Sequence, residues 1–297
     1  MLRTPLRPSA WLSAATGGDV YLKLETLQPT FSYKIRGALN AVLRLVEGGG
    51  TVPPLVTASA GNHGRALAYA AREAGVRLTV YVPETAPRVK LDAIREIGAE
   101  LRPSRDYDEA ERLAKEHGAS GDALFISPYS HPDVIAGAGT IALEILDERP
   151  DVDTFVVPIG GGGLISGIGI AAGSVAATVI GVEVEASCPF TQSLAAGRIV
   201  KIQVGPTLAD GLAGNMDPET ITFDLVRQYV SRIAVIGEAE LRAAVAALVR
   251  EERLIAEGAA ATGVAAVASQ TMELQGRQVA IVVSGANIDP DQLKALL

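Results

Sequence analysis

At 297 residues the chain reaches the length, roughly 250–300 residues, at which a single hydrophobic core stops growing, so two domains are expected rather than one. With 48% hydrophobic and 20% charged residues it can bury a large core, which excludes general disorder. A formal charge of −8 argues against a nucleic-acid partner, whose phosphates need a basic surface, and aromatics at 4% offer no stacking platform.

Cys188 is the one cysteine, so an internal disulfide and a paired-thiol metal site are both excluded, and a cytoplasmic setting fits. Hydrophobic pattern and glycine punctuation predict, in chain order, a strand at 20–25, a helix at 34–46, a strand at 55–57 and a helix at 64–74. A strand follows at 77–82, then helices at 88–97 and 107–117, a strand at 123–126 and a helix at 133–148. The remainder reads as strand 154–157, helix 164–172, strand 178–183, helices 238–251 and 259–275, and strand 278–283.

Runs such as Thr-Phe-Val-Val and Ala-Ile-Val-Val are apolar on both faces, as in a parallel sheet covered by helices on each side. The fold class is therefore α/β. The N-terminus lacks the basic-then-apolar run of a signal peptide. Residues 154–182 carry no charge, but Pro158 and the many glycines make a membrane span costly in unsatisfied backbone, so no membrane partner is expected. Neither a fixed-period repeat nor a low-complexity linker is present, which suggests one domain inserted within the other.

Four segments can carry chemistry, and three of them follow predicted strands, where ligands of such sheets bind. In Gly160-Gly161-Gly162-Gly163, before Leu164, residues without Cβ let backbone N–H groups converge on a small anion at a helix start. A phosphate is the natural guest. The spacing is neither a Walker A loop nor a complete dinucleotide fingerprint, although Glu183 ends the next strand about 20 residues on, which keeps a nicotinamide oxidoreductase as an alternative.

Lys34, in Ser32-Tyr33-Lys34-Ile35-Arg36-Gly37, opens a helix, a place that disfavours cations. By itself it reads as a surface lysine; beside a phosphate cradle it reads as the amine that forms a Schiff base with a phosphorylated aldehyde cofactor. Ser59-Ala60-Gly61-Asn62-His63 precedes another helix and suits a carboxylate, or is a plain cap and turn. His63 reads equally as structural or catalytic. The fourth segment is Ser284-Gly285-Ala286-Asn287.

Together these segments resemble the fold-type II pyridoxal-phosphate enzymes of the serine/threonine dehydratase and serine racemase group, threonine dehydratases most of all. The likeness runs from Thr4-Pro5-Leu6 through Val134-Ile135-Ala136-Gly137 and Leu208-Ala209-Asp210-Gly211 to Ser284. It implies the tryptophan synthase β-like architecture of two open, twisted, mostly parallel sheets flanked by helices. A large domain would comprise 1–51 and 132–297, a small inserted domain 52–131, and the active site would lie between them.

The resemblance implies pyridoxal 5'-phosphate bound covalently to Lys34, with Tyr33 over one face of its ring and Gly211 against the other. Asn62 would bond the 3' oxygen, Gly160, Gly161, Gly162, Gly163 and Leu164 would hold the phosphate, and Ser284 would meet the pyridine nitrogen. Ser59, Ala60, Gly61, Asn62 and His63 would hold the carboxylate of an amino-acid substrate. A homodimer is the family's habit.

A neutral hydroxyl at the pyridine nitrogen leaves that nitrogen unprotonated and the ring a weaker electron sink, which suits expulsion of a β-leaving group. The implied reaction is dehydration and deamination of a threonine- or serine-type β-hydroxy amino acid to a 2-oxo acid and ammonia, with Lys34 as base. Racemases of the group resemble Ser-Ser-Gly-Asn where this chain has Ala60 at the second place, which has no proton to offer. Racemisation, or dehydration of hydroxyaspartate, phenylserine or a hydroxyectoine-derived acid, remains the alternative.

Phe31 and Ala138 depart from the family pattern and would reshape the substrate pocket. Relatives often bind a divalent cation through a glutamate and an aspartate six residues later. Glu183 matches the first, but Pro189 holds the second place; Glu185 is the alternative ligand for Mg²⁺ or Ca²⁺. No metal is assigned. The chain ends soon after Ser284, so no C-terminal regulatory domain is expected.

Overall fold

The computed structural model describes residues 1–297. In chain order its elements are β1 (Leu6–Pro8), α1 (Ala10–Thr16), β2 (Asp19–Leu24), α2 (Lys34–Glu47), β3 (Leu55–Ala58), α3 (Asn62–Glu73), β4 (Leu78–Pro83) and α4 (Arg88–Arg95). Next come β5 (Glu100–Ser104), α5 (Tyr107–Ala119), β6 (Leu124–Phe125), α6 (Pro132–Glu148), β7 (Thr154–Pro158), α7 (Gly163–Gly173) and β8 (Thr178–Val184). The last are α8 (Pro189–Ala196), α9 (Thr222–Tyr229), β9 (Arg232–Ile236), α10 (Glu238–Glu252), α11 (Gly258–Ala268), β10 (Gln278–Val283) and α12 (Pro290–Lys294).

The chain forms two compact units: residues 34–137 together with Met1, and residues 2–33 with 138–297. The first takes in more chain than the 52–131 insert read from the sequence. The physical reason is α2, which packs on α3; a Cβ on its Gly37 would lie 2.6 Å from the Val134 carbonyl oxygen of α6.

The larger unit holds a six-stranded sheet in the order β1-β2-β10-β7-β8-β9, parallel except for β1 against β2. Alternate residues of its central strands face two separate cores, Val279, Ile281 and Val283 one way and Ala280 and Val282 the other. Burial on both faces is what makes the strand read as an unbroken apolar run. The smaller unit holds a parallel four-stranded sheet, β5-β4-β3-β6, built on the same rule, with Leu78, Val80 and Val82 facing one core and Tyr81 the other.

One expected helix needs correction, and three strands went unread. The helix expected over 259–275 ends at Ala268, because the Ser269 hydroxyl donates to the Ala265 carbonyl at 2.7 Å and Gln270 turns into the left-handed region at φ +55. Short edge strands β1, β5 and β9 carry too little alternation to be read. The uncharged stretch 154–182 resolves into β7, a glycine turn, α7 and most of β8. No helix is long and apolar enough to cross a membrane.

Candidate active site

In the larger unit, β7 runs out at Pro158 and the chain turns through Gly160–Gly162 into α7. Gly162 sits at φ +85 as the N-cap, and no side chain caps the helix start. A Cβ at Gly162 would lie 2.6 Å from Phe190 Cζ and 2.9 Å from Thr222 Cβ. The Thr222 hydroxyl donates to the Gly161 carbonyl at 2.8 Å, which fixes the peptide. A Cβ at Gly160 would sit 3.2 Å from Leu212 Cα and 3.4 Å from the Gly211 carbonyl, so the turn bearing Gly211 borders the same loop. Leu164 continues the first turn and is buried. An uncapped helix start with no acidic residue in its first turn is a site for an anion.

Beyond β10, Ser284 is buried, and its carbonyl accepts from Tyr33 N at 2.9 Å. Ser32 bridges Gly285, Ala286 N donates to the Phe31 carbonyl at 2.8 Å, and the Asn287 amide donates to the Thr30 carbonyl at 3.0 Å. These bonds lay the 30–33 segment along the 284–287 segment and bring Tyr33 to Ser284. Phe31 is held at φ +55 and is half exposed, a conformation that costs a bulky residue roughly 1–3 kcal/mol. Burial first, and then the Glu257 carboxylate, push the Tyr33 phenol up. Glu257 also donates its N–H to the Gly285 carbonyl at 3.0 Å. Neither Glu257 nor this pairing was found from the sequence, which carries no signal for them.

In the smaller unit, Lys34 is the first residue of α2, and its Nζ donates to the Pro128 carbonyl at 2.6 Å. A backbone acceptor leaves no sequence signal, so this partner too was invisible. β3 delivers Ser59, Ala60 and Gly61 to the start of α3, where Asn62 and His63 are the first two helical residues. Gly61 is the N-cap without a side-chain cap, and its N–H meets the Ser59 hydroxyl at 3.3 Å. A Cβ on Gly64 would collide with the Ser59 carbonyl, so the loop folds tightly onto the helix.

His63 is 2% exposed, and neither ring nitrogen has a hydrogen-bond partner. Burial, followed by the Lys34 ammonium, pushes its pKa down to about 3, against the raising influence of the Ile126 backbone.

Glu183, at the end of β8, is buried, and both its oxygens are engaged. It accepts from Phe190 N at 2.9 Å, Thr191 N at 2.8 Å and the Thr191 hydroxyl at 2.6 Å, all at the start of α8. Burial pushes its pKa up, partly offset by these bonds. No group of three His, Cys, Asp or Glu side chains is placed to hold a metal ion. The donor set therefore does not fit a divalent cation at Glu183. Unit by unit, the chemistry does fit a phosphorylated aldehyde: the larger unit has a glycine turn with no room for a Cβ at Gly162 and a buried hydroxyl at Ser284, and the smaller unit has a primary amine at Lys34.

Comparison with known proteins agrees with this fit. The family model described as pyridoxal-phosphate dependent enzyme matches residues 1–285. L-threonine ammonia-lyase of Thermotoga maritima is 42% identical over 298 residues, covering 99% of this chain and 74% of that protein. Human serine racemase is 39% identical, covering 96% of this chain and 86% of that one. The structure of the processed form of threonine deaminase isoform 2 from Solanum lycopersicum superposes with a TM-score of 0.92 at 31% identity, over 99% of this chain and 87% of that one.

Proposed function

The chain belongs to the pyridoxal-phosphate-dependent enzymes, and from that premise we propose that it is an ammonia-lyase acting on a neutral β-hydroxy amino acid, L-threonine or L-serine. The net reaction yields a 2-oxo acid and ammonia, water being lost across Cα–Cβ and then regained. The observation that carries this reading is the start of α7, an uncapped helix end built from glycines, at one of which, Gly162, a Cβ would collide with Phe190 and Thr222. The 42% identity to the Thermotoga ammonia-lyase supports the reaction class.

In this reading the N–H groups of Gly160–Gly163 and Leu164 would hold the cofactor phosphate, and Tyr33, Gly211, Asn62 and Ser284 would hold its ring, Asn62 by the 3' oxygen and Ser284 by the ring nitrogen. When bound, the cofactor offers an aldehyde to amines and draws electrons from Cα of the substrate. Lys34 would hold the cofactor through Nζ and, as a free amine, would take the Cα proton of the substrate. The Pro128 carbonyl, 2.6 Å from Nζ, then steadies the ammonium that results. Ser284 would meet the ring nitrogen with a neutral hydroxyl rather than a carboxylate, which would suit loss of a β-hydroxyl from the substrate. The uncapped start of α3, at Ser59–His63, receives the substrate carboxylate. We place the enzyme in the cytoplasm as a homodimer.

Purified protein should be yellow and release ammonia from L-threonine or L-serine. Lys34→Ala should lose the band and at least 10³-fold in kcat, the scale of a missing base. Borohydride trapping that leaves Lys34 unmodified would overturn the assignment.

Racemisation is the second reading, favoured by the likeness to serine racemase. Ala60 speaks against it, since a methyl group cannot deliver a proton to the face opposite Lys34. Chiral chromatography should find little D-serine from the native protein and more from Ala60→Ser. Inversion faster than ammonia release in the native protein would reverse the choice.

A further inference from the structure

Among the residues near Lys34, one has no assigned work for its side chain. His63 is nine-tenths buried, and both its ring nitrogens lack a hydrogen-bond partner. A buried polar atom left unpaired costs roughly 1–3 kcal/mol, so such atoms mark a place where something binds. The Ile126 carbonyl beside the ring takes the Thr57 hydroxyl at 2.8 Å and does not reach hydrogen-bond geometry with either ring nitrogen. The ring also lies near enough to Lys34 for the ammonium to disfavour its protonation, and it is held neutral. A neutral imidazole accepts at one nitrogen and donates at the other, which matches an uncharged hydroxyl and offers no counter-charge to an anion. Once Lys34 takes a proton from Cα, the atoms one and two bonds farther along the substrate are Cβ and its hydroxyl.

We propose that the His63 imidazole hydrogen-bonds the β-hydroxyl of the substrate and thereby selects hydroxylated, uncharged amino acids. This rests on Lys34 being the base. His63 transfers no proton in this role; it orients the C–O bond that breaks, the Cα proton passes to Lys34, and the departing oxygen takes a proton from solvent and leaves as water. It is a specificity-determining residue whose contribution depends on the leaving group.

The test compares two substrates and two unreactive analogues in holoenzyme carrying native His63, His63→Phe or His63→Gln, with melting curves to verify folding. β-Chloro-L-alanine loses chloride and needs no hydroxyl contact, whereas L-serine does. His63→Phe should lower kcat/KM for L-serine at least tenfold more than for β-chloro-L-alanine, and His63→Gln should restore part of the loss. α-Methylserine has no Cα proton and cannot react. Its binding, read from the cofactor absorbance, should be about tenfold tighter than that of α-aminoisobutyrate in native protein, and equal to it in His63→Phe.

An equal fall for both substrates, or an unchanged binding ratio, overturns the proposal while leaving the ammonia-lyase reading intact. A native holoenzyme that eliminates from neither substrate overturns that reading, and the His63 proposal with it. Should His63→Phe fail to fold, the native binding ratio and the His63→Gln kinetics still decide.

Discussion

The energetic price of His63 shows up as acid sensitivity. In the folded protein burial pushes its pKa down to about 3, from the ordinary 6.5 of a histidine in the unfolded chain. Between these limits the unfolded chain binds a proton that the folded chain refuses, so stability is full above about pH 6.5 and falls as pH drops toward 3. At pH 5 the loss amounts to about 2 kcal/mol from this one ring. Burial sets most of the shift; Lys34 and His131, which repel the imidazolium, add to it, and the Ile126 backbone opposes it. Urea unfolding at pH 7 and pH 5 should therefore show a smaller drop for His63→Gln than for the native protein. Identical drops would show that His63 titrates normally in the fold. The residue was legible in the sequence as a candidate, but its neutrality was not, since that comes from burial and a neighbour 29 positions away in the chain.

At the scale of elements, the glycine start of α7 makes a quantitative case. Gly162 and Gly49 share the left-handed region, at φ +85 and φ +77, but a Cβ at Gly49 meets nothing within 4 Å. Gly49→Ala should cost about 1–2 kcal/mol, the backbone penalty alone. Gly162→Ala adds the collision with Phe190 and Thr222, so it should cost more and weaken pyridoxal phosphate at least tenfold, as read by absorbance titration. Equal stability losses with unchanged cofactor affinity would mean that the loop shape is not what binds phosphate.

The sequence exposed this element because four glycines at the end of an apolar strand have few other uses. It exposed β7 and β10 because strands buried on both faces read as unbroken apolar runs. It hid β1, β5 and β9, whose half-exposed or very short runs lack such a pattern, and it overran α11 because nothing before Gly276 looked like a stop. The Pro128 carbonyl against Lys34 was illegible for a different reason: every residue has a carbonyl, and only the folded loop says which one meets the amine.

For the whole molecule, binding and folding are linked. A ligand that binds only folded protein stabilises it by RT ln(1 + [L]/Kd), about 2.7 kcal/mol at a hundredfold excess over Kd. For a chain of this length each kcal/mol moves the midpoint by about 2–4 °C, so removing pyridoxal phosphate should lower Tm by roughly 5–10 °C. The size of the effect tests where the affinity resides. If the covalent bond at Lys34 and the glycine cradle both contribute, Lys34→Ala should keep only part of the gain, from phosphate contacts at 160–164, and Gly162→Ala should keep part of it through the bond to Lys34. Inorganic phosphate alone should give a small rise in the native protein and none in Gly162→Ala. Calorimetry in which Lys34→Ala gains as much from the cofactor as the native protein would contradict a covalent contribution. A native protein indifferent to inorganic phosphate would count against the cradle as an anion site independent of the rest of the cofactor.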